Sequence, residues 1–196
     1  MTDPLLLEAL GRFQELLASA QAGNLKEPYA MALGTAESRG HPSVRMVLLR
    51  GHDPRGFVFY TNRESRKGED LRENPRAALC FFWDPLAEQI RVEGNVEFAS
   101  VDENDTYWRS RPRMSQIASA ASDQSRRLDA RATYLRRAEE LDRRLADREI
   151  PRPPHWIGYR VVPDRIEFWS GREARMHDRV VYVRTADGWK KDLLYP

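Results

Sequence analysis

Residues 77–99 read AALCFFWDPLAEQIRVEGNVEFA. Two runs rich in Val, Leu, Phe and Trp, near 77–83 and 88–99, flank Asp84-Pro85, a pair with turn chemistry. Working outward, the same pattern gives strands near 29–36, 43–50 and 56–61, broken at Ser38-Arg39-Gly40 and at Asp53-Pro54-Arg55-Gly56. One short helix, about 66–73, interrupts the run. Strands resume near 157–163, 165–169, 179–184 and 188–194, and Thr185-Ala186-Asp187-Gly188 joins the last two. Successive short strands linked by turns point to an antiparallel sheet or barrel, not a parallel sheet with crossover helices. The fold class is mainly β with helices (α+β).

Two helical regions flank or interrupt the strands. Asp3-Pro4 opens the first: Asp caps free amides, and Pro at the first position forfeits no hydrogen bond. Leu6, Leu10, Phe13, Leu17 and Ala20 share one face, and Gly23-Asn24 ends it. Residues 101–148 form the second region, with Asp102 or its neighbours opening it and Pro112 breaking it. A long piece at about 127–147 places Leu128, Ala132, Leu135, Ala138, Leu141 and Leu145 on one stripe. Its charges nearly cancel, and its charged face reads as solvated or intersubunit surface. The stiff connector Ile150-Pro151-Arg152-Pro153-Pro154 lies between regular elements, so 1–196 reads as one domain, with an N-terminal helix (1–24) and a helical insertion (101–148).

The chain has 196 residues and 22.8 kDa, 41% hydrophobic and 32% charged, with mean hydropathy −0.69. A chain of this length buries enough surface to need no metal or disulfide staple. No run approaches the ~20 apolar residues of a membrane span, and the N-terminus lacks the features of a secretory signal, so the expected compartment is the cytoplasm. The single cysteine, Cys80, is expected buried in a strand, and the four histidines have no metal-ligand spacing. Net charge is +2, although the 32 basic residues include only four Lys. That balance argues against a nucleic-acid coat and leaves any phosphate binding local.

Four clusters carry candidate chemistry. In Ser43–Arg50, Arg45 and Arg50 are five apart and face opposite sides of a strand unless a bulge intervenes. In Tyr60–Lys67, a strand ends in a polar turn that leads into a helix, which suits a phosphate or serves as an ordinary cap. Tyr107–Gln116, followed by Gln124-Ser125, puts three Arg within five residues beside hydroxyls and amides, either a second anion site or surface charge. Ile166–Trp169 with Arg175–Arg179 sets aromatics beside Arg and His, either flanking a planar ligand or forming core and ion pairs. No Walker A or GxGxxG string occurs. Two anion sites with aromatic flanks, and no nucleophilic triad, point to two phosphorylated planar ligands side by side.

These strings, with Glu88-Gln89 and the ending Trp189–Pro196, resemble the pyridoxamine (pyridoxine) 5′-phosphate oxidase family over nearly the whole chain. Arg-Pro-Arg-x-Ser-Gln and Arg-x-His-Asp-Arg are specific in combination. The resemblance implies an FMN-binding split β-barrel with peripheral helices, working as a homodimer with FMN at the interface. By it, FMN is held by Arg45, Met46, Val47, Leu48, Leu49, Arg50, Tyr60, Thr61, Arg66, Lys67, Gln89, Gln124, Ser125, Trp169 and Arg179. Arg66 and Lys67 would neutralise its phosphate. Arg50, Tyr107, Arg111 and Ser115 would hold the substrate phosphate, with Arg175 and His177 over the pyridine ring as catalytic residues. The implied reaction oxidises pyridoxamine 5′-phosphate or pyridoxine 5′-phosphate to pyridoxal 5′-phosphate. O2 is the electron acceptor, giving H2O2, and NH3 leaves the amine. Most of that chemistry is the flavin's.

Three departures from the family pattern stand out. The family usually has Lys where this chain has Arg50, which keeps the charge but changes an ammonium into a fork. It often reads Ser-Gln-Ile-Gly-Ala-Trp where this chain has Ser115-Gln116-Ile117-Ala118-Ser119-Ala120; loss of the Trp is expected to loosen packing or an interface. Many members carry an N-terminal Arg/Tyr segment over the substrate, and here the first helix begins almost at once, so that lid is expected to be missing. Two alternatives stay open: a related flavin oxidase of the phenazine-biosynthesis type, which lacks the full Arg-Pro-Arg-x-Ser-Gln string, and a non-catalytic FMN or pyridoxal-phosphate binding protein.

Overall fold

Period-two alternation and turn residues produce nine strands in the computed structural model, which describes residues 2–23, 25–146 and 148–196. They are β1 (Ala30–Ala36), β2 (Pro42–Leu48), β3 (Gly51–Asp53), β4 (Gly56–Asn62), β5 (Arg76–Trp83), β6 (Glu88–Phe98), β7 (Trp156–Ser170), β8 (Asp178–Thr185) and β9 (Gly188–Leu193). All pair antiparallel in one curled sheet, in the order β2-β1-β5-β6-β7-β4-β3, with β8 on β7 and β9 on β8. Among the described residues, five α-helices accompany it: α1 (Pro4–Ala22), α2 (Arg66–Glu73), α3 (Val101–Ser110), α4 (Arg113–Ala120) and α5 (Arg131–Leu145).

Helix α1 fills the curl. Asp3 caps it by accepting from the Leu5 amide at 2.8 Å, and Leu6, Leu10, Phe13, Leu17 and Ala20 are buried as the spacing predicts. Phe13 is fully buried, with ring contacts to His52, Phe57, Phe81 and Trp83. A second, smaller cluster joins Trp108, Ile117, Ile150 and Trp156, and Ala138, Leu141 and Leu145 of α5 pack on it. Among the described residues, no helix is long and apolar enough to cross a membrane.

Several boundaries depart from the sequence reading. The strand expected at 43–50 stops at Leu48, because Leu49 and Arg50 break from β2 before the short β3 begins. Arg45 therefore lies on the strand and Arg50 beyond it, so the two-face argument does not apply. The strands expected at 157–163 and 165–169 are one, β7. A register shift opposite Glu93/Gly94 absorbs the Pro163-Asp164 interruption, and at Gly94 a Cβ would lie 2.0 Å from the Val162 carbonyl oxygen. Of Asp102 and its neighbours it is Ser100 that caps α3, in a reciprocal capping box with Glu103. The long helix starts at Arg131, and Leu128 and Leu135 of the expected stripe are exposed. Cys80 is half-buried, and burial raises its thiol pKa. Asn24 of the expected Gly23-Asn24 stop, and Asp147 at the expected end of the long helix, lie outside the described residues.

Truncating Phe13 to Ala is expected to remove about 3–5 kcal/mol of unfolding free energy. Urea unfolding at unchanged m-value measures it, and a loss below about 1 kcal/mol would contradict the central place of this ring.

Candidate functional site

The wall of the site is aromatic. Tyr60 on β4 pairs with Gly158 on β7, where a Cβ would sit 2.7 Å from the Tyr60 ring. Only glycine lets that ring lie across the neighbouring strand. Tyr60 then stacks on Trp156 at 5.0 Å and 10° and on Tyr107 at 4.2 Å and 24°. Its hydroxyl donates to the Glu103 carbonyl at 3.3 Å, and burial raises its pKa, which keeps it neutral.

Against this wall opens a cavity of about 440 Å³, lined by Met46, Val47, Leu48, Arg50, Tyr60, Thr61, Lys67, Tyr107, Ser110, Arg111, Pro112, Ser115, Gln124 and Trp156. Three of these are cations and none is acidic. Lys67 is 8% exposed, and among the described residues its ammonium donates only to neutral oxygens: Thr61 Oγ1 at 3.1 Å, Ser65 Oγ at 2.9 Å and Gln124 Oε1 at 2.9 Å. Burial, with a smaller push from Arg45, lowers its pKa to about 8. Arg111 is half-buried, and burial and then Arg50 lower its pKa. Its Nη1 is buried with no acceptor among the described residues. An unpaired buried donor costs on the order of 1–3 kcal/mol, so these side chains fit an anion.

Other expected residues lie outside the lining of this cavity. Arg45 donates to Leu33 O at 3.1 Å, Thr35 Oγ1 at 2.7 Å and Ser43 Oγ at 2.8 Å. Its Nη2 lies 3.6 Å from Asp70 Oδ2, and Thr35 Oγ1 donates to that same oxygen at 2.6 Å. Arg66 is exposed on the first turn of α2, Leu49 is buried in the main core, and Ser125 sits in a left-handed turn with φ 72°.

A second group gathers elsewhere on the same chain. Register places Gln89 opposite Trp169 and Trp169 opposite Arg179. Glu167, 2% exposed, accepts from Arg179 at 2.7 and 2.9 Å and from Arg165 at 2.7 Å. Burial alone would raise its pKa, but the two arginines outweigh it and the net shift is downward. The His177 ring lies 4.5 Å from that of Trp169. The Arg172 amide donates to His177 Nδ1 at 3.1 Å, which puts the ring proton of the neutral imidazole on Nε2. Ala174 (φ 53°) and Arg175 (φ 61°) are consecutive left-handed residues, a strained presentation of Arg175. None of Gln89, Trp169, Arg175, His177 or Arg179 lines the cavity.

Sequence reading missed Trp156 in the lining and Asp70 beside Arg45, and it gave no role to Ser110 and Pro112 of the lining, to Ser65 beside Lys67, or to Glu167 of the second group, although each lies inside a cluster it singled out. The available signal was local: Trp156 opens a strand straight after the proline connector, and Ser65 ends the polar turn before α2.

Residues 17–144 match the family model described as pyridoxamine 5′-phosphate oxidase. Residues 156–196 match the pyridoxine 5′-phosphate oxidase C-terminal dimerisation region. Among curated relatives, a pyridoxine/pyridoxamine 5′-phosphate oxidase of Alkalilimnicola ehrlichii is 52% identical over 194 residues, covering 98% of this chain and 99% of that one. Its namesake in Myxococcus xanthus is 50% identical over 189 residues, covering 96% and 92%. Among solved structures, PhzG from Burkholderia lata 383, in complex with tetrahydrophenazine-1-carboxylic acid, superposes with a TM-score of 0.91 at 34% identity, covering 100% of this chain and 94% of that one. An oxidase-related FMN binding protein of Nostoc punctiforme shares the fold, with a TM-score of 0.75 at 16% identity over 95% and 96%. With two family matches in chain order and relatives half identical over nearly their full lengths, the chain belongs to the pyridoxamine 5′-phosphate oxidase family.

Proposed function

We propose that the chain oxidises pyridoxamine 5′-phosphate and pyridoxine 5′-phosphate to pyridoxal 5′-phosphate, with FMN bound between two copies and O2 as final acceptor, giving H2O2. The observation that carries this reading is the cavity with Arg50, Lys67 and Arg111 and no acid in its lining, beside a stacked aromatic wall. Two phosphorylated planar ligands need such a site. The names of the half-identical relatives support the same reaction.

Within this reading, Lys67 holds the FMN phosphate, with Arg66 and Arg45 adding charge close by. Met46, Val47, Leu48, Thr61, Gln124 and Ser125 would line the flavin's path. Arg50, Arg111, Tyr107 and Ser115 hold the substrate phosphate. Bound FMN would supply the two-electron acceptor, taking hydride from the substrate C4′ carbon and passing the electrons to O2. The protein's part is orientation. Arg175 and His177 would close over the pyridine ring, His177 offering its Nε2 proton because Nδ1 accepts from the Arg172 amide. The residues expected at the flavin fall into two groups on one chain, and a homodimer would set the Gln89, Trp169 and Arg179 group of one protomer against the cavity of the other. The match to a dimerisation region supports that arrangement.

The PhzG likeness offers a second reading, oxidation of a planar carboxylate without a phosphate. An anaerobic visible spectrum separates the two. Flavin bands that bleach with pyridoxine 5′-phosphate and recover in air, as pyridoxal 5′-phosphate appears, are expected. Bands that stay oxidised with both B6 phosphates would overturn the proposal.

Lys67 also sets a pH dependence. In the ligand-free protein it is cationic at pH 7 and loses its proton as pH rises through about 8. A bound phosphate favours the charged form, so FMN affinity is expected to fall above pH 8, by up to about tenfold per unit. Titration by flavin fluorescence from pH 7 to 9.5 measures this, and Lys67→Met should flatten the profile. Arg175→Ala should cut turnover about 100-fold with FMN retained; loss of flavin instead would move Arg175 into the cofactor site.

A further inference from the structure

Arg111 ends α3, and its guanidinium packs 5.2 Å from the ring of Trp108 and 5.0 Å from that of Trp156. Attraction to ring faces holds a guanidinium close but sets its rotation weakly. Hydrogen bonds set it, because they are directional. The Arg111 side chain makes one such bond among the described residues, from Nη2 to Ser119 Oγ on α4 at 2.9 Å. It makes no ion pair there, and Nη1 is left without an acceptor.

The acceptor's chemistry is informative. A carboxylate at this place would pair with the guanidinium and compete with any incoming anion. A hydroxyl orients the fork without neutralising it, so the full charge stays available for a ligand. Ser119 also stands where the family pattern Ser-Gln-Ile-Gly-Ala-Trp has Ala, a side chain with nothing to offer Nη2. Next to it, Ala120 stands in place of the Trp, and a cavity of about 430 Å³ lined by Ala120, Ala121, Arg137, Glu140, Leu141 and Arg144 opens there. The Ser119 hydroxyl ties α4 to the end of α3 where that bulk is missing.

We propose that Ser119 is a positioning residue that fixes the rotation of Arg111, so that its un-neutralised guanidinium is presented to the substrate phosphate in the cavity. This rests on the reading of Arg111 as a phosphate-binding residue. Ser119 does not line the ligand cavity and acts through Arg111 alone.

The test uses the FMN-loaded enzyme, with Ser119→Ala, Ser119→Thr and Arg111→Lys made singly and Ser119→Ala combined with Arg111→Lys. Three readouts are taken in each: the KM against kcat split for pyridoxine 5′-phosphate, the Kd for inorganic phosphate by calorimetry, and Tm. Ser119→Ala is expected to raise KM and the phosphate Kd together by about fivefold, the size of one net hydrogen bond, with kcat within about twofold. Ser119→Thr should restore both. In the Arg111→Lys background, Ser119→Ala should add nothing, because the lysine has no fork to orient. Unchanged KM and Kd in Ser119→Ala, while Arg111→Lys raises both, would overturn the Ser119 role and leave the phosphate reading standing. Unchanged values in Arg111→Lys would overturn the phosphate reading itself, and this inference with it. A fall in kcat and Tm shared by the Ala and Thr variants, without a shift in phosphate Kd, would reduce Ser119 to a packing residue and overturn the proposal.

Discussion

Strand β7 has one edge occupied by β6 and must divide the other between β4, along Trp156–Val161, and β8, along Arg165–Ser170. A strand can serve two neighbours on one edge only if it bends, and the shift opposite Gly94 supplies the bend. Everything functional hangs on that division. The early half of β7 carries Trp156 and Gly158, which set the aromatic wall, while the late half carries Glu167 and Trp169. About a dozen residues of strand separate the two, on the order of 35 Å if it ran straight. A ligand drawing on both groups, as proposed for FMN, is therefore best served by two copies of the chain.

Charge is arranged with the same economy. The chain is nearly neutral, with 32 basic and 30 acidic residues, yet no acid lines the cavity. The carboxylates that order the cations stand behind them: Asp70 near Arg45, Glu167 beneath Arg179, and Glu103 and Asp53 on the buried Arg160. Cations facing the cavity meet neutral oxygens or rings instead. Keeping them charged there costs desolvation, visible in the lowered pKa values of Lys67 and Arg111. That cost is recovered when an anion arrives.

Much of the sheet was legible because a strand's period of two and its turn residues are local properties. The helix at Arg66–Glu73 and the buried face of α1 followed from local signals as well. The errors lie where partners decide. Pro163-Asp164 has the chemistry of a break, but pairing with β6 along one edge carries β7 through it. Leu128 fits a helical stripe, but residues 122–130 take an irregular path, with Asp123 held by Arg137 and Arg126 by Glu69. In the site, the motif strings named most of the cavity lining, since those strings carry distinctive residue types. Trp156 and Asp70 sit in no such string, and Ser119 sits in one only as a departure with no role attached. Their places depend on which strand or helix lies opposite, and that is a property of the folded chain.

Asp3 does more than cap its helix. While one carboxylate oxygen accepts from Leu5, the other accepts from the Trp189 amide at 3.0 Å, and Glu8 on the same helix receives both the Tyr182 hydroxyl and Lys191. The first helix thus finds its polar anchors in the last hairpin, nearly the full length of the chain away. During synthesis the ring partners of Phe13 (His52, Phe57, Phe81 and Trp83) are all made before β8 and β9, whereas the polar anchors of Asp3 and Glu8 come last. The first turns of α1 are therefore pinned at the end of folding, and a nascent chain stalled before β9 leaves that end of the helix without its carboxylate contacts.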